Sequence, residues 1–155
     1  MFKFAKLART LALGNIFVWM SLDWLNFYQL GWYEATTLGL VLFVMQYIVY
    51  NIGLKMTANE KNKKASPLKK ALICSGITLN DSISEEKVRE KYSGKNVKIL
   101  HGLPLIGIIF CTGIFAYDNH PMVIAWLFFF AALALATQPI YAALVQEEAE
   151  IAEAN

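Results

Sequence analysis

Four stretches of the chain run mainly apolar: about Thr10–Leu30, Thr37–Leu54, Ile99–Ala116 and Met122–Leu144. A bilayer core about 30 Å thick needs roughly 20 such residues as helix. The pattern therefore predicts an all-α membrane protein with four transmembrane helices. The last stretch is the cleanest, since Met122–Thr137 holds no charge. The first is the weakest, because Asn15, Ser21, Asp23, Asn26 and Gln29 interrupt it.

The basic residues give the expected direction. Lys3, Lys6 and Arg9 precede the first stretch, and the other eleven of the 14 Lys and Arg fall at 55–98. The short turns Gly31–Thr36 and Tyr117–Pro121 have none. Cytoplasmic loops carry the Lys/Arg excess. Two helical hairpins are expected, with both termini and the central loop cytoplasmic, in a cell inner membrane. On this reading residues 1–56 form the first hairpin and 99–145 the second. Residues 57–98 form a basic loop between them, and 146–155 an acidic tail.

Two short helices are expected in the loop. Ser66-Pro67 reads as an N-cap with proline at the first helical position, leading into Leu68–Cys74 and stopped by Ser75-Gly76. Ser82 to Glu85 fits a capping box leading into Glu86–Tyr92. Leu68, Leu72, Ile73, Ile77, Leu79, Ile83, Val88 and Tyr92 suit a small platform on the membrane surface. The cluster Lys61, Lys63, Lys64, Lys69 and Lys70 is a candidate site for anionic head groups or a partner, at about 1 kcal/mol per charge. The tail, with Glu147, Glu148, Glu150 and Glu153, has the opposite sign and is placed to lie against this loop.

Polar side chains inside hydrocarbon are costly and mark candidate sites. Counting about 1.5 Å per residue from the outer turns, Asp23, Asn26, Gln46 and Thr112 form an outer-to-middle layer. Asn15, Tyr50, His101 and Gln138 form a deeper one, with one residue from each span. The deeper set predicts a hydrogen-bonded layer in a compact bundle. Burial disfavours a charged Asp23. It is expected as a neutral donor to Gln46 or Asn26, or as a proton- or cation-binding site. Small and polar residues share helix faces, as membrane helix interfaces do. These faces are Asn15-Trp19-Asp23-Asn26, Gly39-Phe43-Gln46-Tyr50-Gly53, Pro104-Gly107-Cys111-Asp118 and Ala131-Ala134-Gln138-Tyr141.

Composition agrees with the pattern. Of the 155 residues 57% are hydrophobic and 17% charged, against roughly 45–50% and 25% in soluble domains. The net charge of +2 hides a loop with ten basic against five acidic residues at 57–98. Two cysteines and two histidines give no zinc pattern, and Cys74 and Cys111 are expected on different levels. No phosphate loop or serine-nucleophile motif occurs. No cofactor, metal or catalysis is expected. Nucleic acid is not an expected partner either, since Tyr92 alone stands as an aromatic among the loop charges. The expected role is association with a larger membrane protein, as an accessory subunit, assembly factor, or exclusion or immunity protein. The alternatives are an oligomeric proton- or cation-coupled transporter using Asp23, and a sensor of anionic lipid or a partner built on the basic loop.

Overall fold

The computed structural model describes residues 1–59, 62, 64–77 and 83–154. Among them the chain is helical, without a strand. The helices are α1 (Phe2–Trp24), α2 (Trp32–Thr57), α3 (Pro67–Cys74), α4 (Glu85–Lys91), α5 (Val97–Asp118) and α6 (Met122–Ala154), with a short 3-10 turn, Gly94–Asn96, before α5. Three of them, α2, α5 and α6, are long and apolar enough to cross a membrane.

The first element departs from the expected 10–30. α1 starts at Phe2 and stops at Trp24, so it takes in Lys3, Lys6 and Arg9. What stops it is a Schellman motif. Asn26 adopts a left-handed φ of 57°, Phe27 N–H donates to Leu22 O, and Asn26 N–H donates to Asp23 O. Asparagine tolerates that conformation better than most residues. Residues 25–31 form the turn, and α2 begins at Trp32 rather than Thr37. Asp23 therefore lies in the last turn of its helix and not deep within a span.

The helices do not close into the expected compact bundle. α6 is central: it packs against α2, α3 and α5, while α1 packs against α2. Phe128 of α6 lies against Gly39 of α2, and Phe130 against Gly107 of α5. Side chains at those two glycines would collide with the rings. Two cores result. One sits at the end of the short turns and gathers Ile16, Met20, Leu30, Ala35, Leu42, Met122, Ala125 and Ala132. The other sits at the loop end and gathers Leu68, Ala71, Leu72, Val97, Leu100, Ile140, Ala143 and Leu144.

The second core shows that α3 is not a platform resting on a surface. Leu68 and Leu72 are fully buried, and α3 lies against both α2 and α6. Ser66 accepts from Lys69 N–H at its start, with Pro67 at the first position. Gly76, at φ 77°, ends it through bonds from Ile77 N–H to Leu72 O and from Gly76 N–H to Ile73 O. For α4 the expected cap is displaced. Ser84, not Ser82, accepts from Lys87 N–H, and the helix is Glu85–Lys91. Ser82 and Leu79 lie outside the described residues.

Burial tests the expected faces. On α2, Gly39, Gln46 and Gly53 are buried as expected. On α5, Pro104, Gly107 and Cys111 are buried, but Asp118 is exposed. On α1 the buried residues are Ala5, Ile16 and Met20; of the expected face, Asn15 and Asn26 are exposed and Trp19 and Asp23 are half-buried. On α6 the buried set is Met122, Val123, Ala125, Ala132, Ile140, Ala143 and Leu144 rather than Ala131, Ala134, Gln138 and Tyr141.

Gly53 sets how closely α3 approaches α2. A Cβ there would stand 2.6 Å from Cys74 Cα and 2.9 Å from Ile73 O, both backbone atoms. Overpacking of this kind costs about 1–3 kcal/mol. Gly53→Ala is expected to lower the thermal midpoint in mild detergent by several degrees. Gly14→Ala, where a Cβ meets nothing within 4 Å, is expected to leave it unchanged or raised.

Candidate functional site

The most connected polar site lies where α1, α2, α3 and α6 meet. Arg9 is half-buried and uses one terminal nitrogen twice. Nη1 donates to Gln46 Oε1 at 3.0 Å and to Ser75 O at 2.9 Å. Ser75 is the C-cap of α3. A helix C-terminus favours a nearby cation, so the helix dipole adds to the bonds. The Ser75 hydroxyl lies between the carbonyl oxygens of Ala71 and Ala136 and donates to one of them at a time. Ala136 belongs to α6, so this short stretch ties four helices together.

The site is tightly fitted. A Cβ at Gly76 would lie 2.6 Å from Arg9 Nη1 and 2.6 Å from a Val49 methyl. Glycine is thus required there twice, for its φ and for its size. Gln46 is 3% exposed. Its Nε2 is buried and bonds to nothing among the described residues. Flipping the amide would set this donor against the Arg9 donor, so the orphan nitrogen is the lesser cost.

The levels of these groups agree. Gln46 is 14 residues from the start of α2, Ala136 is 14 from the start of α6, and Arg9 is 15 from the end of α1. At about 1.5 Å per residue all three stand roughly 21–23 Å from the short-turn end. The expected partner of Gln46 was Asp23. The observed partner is an arginine that the sequence pattern assigns to the charged flank.

The remaining predicted residues scatter. The Asp23 carboxylate accepts from Leu30 N–H at 2.9 Å and closes the 25–31 turn, so it bonds neither to Gln46 nor to Asn26. Asn26 is exposed in that turn. Thr112 donates to its own helix at Ile108 O and faces outward. Of the deeper set, His101 Nδ1 and Gln138 Oε1 do meet, at 3.1 Å, and His101 stacks on Tyr141 with ring centroids 4.9 Å apart. Asn15, exposed on α1, and Tyr50, half-buried on α2, do not join them. The two expected layers reduce to one pair.

Lys61 and Lys63 lie outside the described residues; Lys64 is exposed, and Lys69 and Lys70 are half-buried. The acidic tail is helical. It continues α6 to Ala154. Arg89 of α4 grips Glu147 in a two-point bond, Nε to Oε2 at 2.8 Å and Nη2 to Oε1 at 3.0 Å. The Glu147 carboxylate raises Arg89 above its ordinary pKa, so it stays charged. Glu148 accepts from Gly94 N–H, and Glu85 accepts from Ser66 Oγ. These bonds join α3, α4 and α6 at the loop end. At the other end His120 Nδ1 accepts from Met122 N–H and caps α6.

Removing the Arg9 side chain would strand the Gln46 oxygen, at about 1–3 kcal/mol for a buried unpaired group. Arg9→Met is therefore expected to destabilise by about 2 kcal/mol or more. Arg89→Met breaks a more exposed pair and is expected to cost about 1 kcal/mol or less. Thermal unfolding of both variants in the same detergent checks the order, and equal midpoints would contradict it. No family model, no curated protein and no solved structure matches this chain.

Proposed function

We propose that the chain is a four-span inner-membrane protein that acts by association with a larger membrane partner, not by catalysis of its own. In this reading α1 is the fourth crossing, and both termini and the 57–98 loop face the cytoplasm. Support for the crossing comes from the shared core, in which Ile16 and Met20 of α1 pack with Ala35 and Leu42 of α2 and Ala125 and Ala132 of α6. Support for the direction comes from the positions of the 14 basic residues. The loop lysines then face anionic head groups, which keeps lipid sensing as a secondary role.

One observation carries the association reading. A groove between α1 and α2 is lined by Gly14, Asn15, Val18, Val41 and Met45, among others. Asn15 is exposed in it, halfway along α1, and makes no hydrogen bond among the described residues. Facing lipid, an unpaired amide is unfavourable. Facing a second helix, the same amide becomes glue, and Gly14 lets that helix come close. The groove thus fits a transmembrane helix that offers a polar group at the level of Asn15.

The transport reading through Asp23 and Gln46 has less support, since the two occupy different networks at different levels. A photo-crosslinking residue at Val18, in native membranes, separates the alternatives. The expected product is a single adduct with another membrane protein, reduced several-fold by Asn15→Leu. Adducts with lipid alone would contradict association, and adducts with a second copy alone would favour an oligomeric transporter.

A further inference from the structure

At the short-turn end a cavity of about 250 Å³ opens between α1, the 25–31 turn and α2. Trp19, Tyr28, Tyr33, Leu30, Leu38 and Glu34 are among the residues that line it. Trp19 and Tyr28 have ring centroids 5.2 Å apart and meet at 60°, so they form a corner rather than a stack. The Tyr28 hydroxyl donates to Glu34 Oε1 at 2.6 Å, and Gly31 N–H donates to Oε2 at 2.8 Å. Those two bonds fix the carboxylate and leave each oxygen a free lone pair.

Among the described residues the charge of Glu34 has no counter-ion. No Lys or Arg occurs between Arg9 and Lys55 or after Lys98, and Glu34 forms no ion pair among the described residues. Aromatic faces present negative potential to a bound group, and cations gather over them. A carboxylate in the same corner adds a full charge of the same preference. The cavity therefore selects for positive charge and against anions. It is poorly made for a metal ion, since hard cations take six or more oxygen ligands and this site offers a carboxylate beside apolar walls. It is also smaller than the roughly 300–1,000 Å³ of sites for drug-sized ligands.

We propose that the Trp19–Tyr28–Tyr33 corner with Glu34 is a binding site for a small alkylammonium group of the trimethylammonium kind. The group comes either from a free solute or from the head group of a choline phospholipid. The site is independent of the Asn15 groove and of the association reading, because it shares none of that groove's residues. A sequence search for acids inside the spans passes over Glu34, which falls in the predicted outer turn.

The test uses the full chain in a maltoside detergent, with choline as the probe and tryptophan fluorescence as the readout. Saturable quenching is expected with choline. The neutral isostere 3,3-dimethylbutan-1-ol is expected to bind at least tenfold more weakly. Glu34→Gln is expected to weaken choline binding at least tenfold. Tyr33 is 84% exposed, so Tyr33→Leu leaves the fold intact and is expected to weaken binding several-fold; it carries the test if Glu34→Gln fails to fold. Trp19→Phe is expected to remove most of the signal. In nanodiscs, choline quenching that persists in phosphatidylglycerol but disappears in phosphatidylcholine assigns the site to the lipid head group. Quenching that persists in both assigns it to a free solute. No saturable response, equal binding of choline and its isostere, or unchanged binding in Tyr33→Leu would overturn the proposal.

Discussion

A guanidinium removed from water has to find acceptors, and where it finds them decides what packs around it. Arg9 finds the Gln46 side chain on α2 and the carbonyl of Ser75, the C-cap of α3. Neither acceptor is local in sequence, so the pair can form only when α1 lies along α2 and α3 is folded back between α2 and α6. The same contact explains Gly76 and Gly53. One leaves room for the guanidinium, and the other lets the end of α3 touch the α2 backbone. Take away the arginine and three helices lose the reason for their relative placement.

The docking of α3 changes the character of the segment between the second and third apolar helices. An eight-residue helix has little stability alone. Here Leu68, Ala71 and Leu72 complete an apolar core that α5 and α6 cannot close by themselves. At the opposite face, Arg89 and Glu85 tie α4 to α3 and to the extension of α6. The basic segment is thus partly a structural wedge and partly a charged surface. Those two parts are separated by only a few residues, Lys64 on one side and Leu68 on the other.

Much of this was legible locally. Apolar runs placed α2, α5 and α6, while the Ser66-Pro67 start and the Gly76 stop placed α3. The Gly39-Gln46-Gly53 face followed from helical spacing alone. The end of α1 was legible too, but only to a reader who treats Asn26 as a left-handed cap instead of a polar residue within a span. What local pattern does not contain is pairing over distance. Arg9 reads as one of three flanking charges, yet its partners lie 37 and 66 residues away. Asp23 reads as an acid in hydrocarbon, yet its partner is a backbone amide seven residues on. Counting residues from an assumed turn displaced it, because that turn begins six residues earlier than the apolar run suggests.

The wedge is most directly examined at Cys74, the last residue of α3. It is 5% exposed, and burial pushes its thiol pKa up, which lowers the fraction of reactive thiolate. The measurement is the rate at which a water-soluble maleimide modifies Cys74 in the folded full chain, with Cys111→Ala to remove the other thiol. The reference is a cysteine at the exposed position 64 in a variant that also lacks Cys74. If α3 is docked between α2 and α6, Cys74 reacts at least a hundredfold more slowly than the reference, and Arg9→Met brings the rate up toward it. A Cys74 that reacts as fast as the reference in the otherwise unaltered chain would contradict the account.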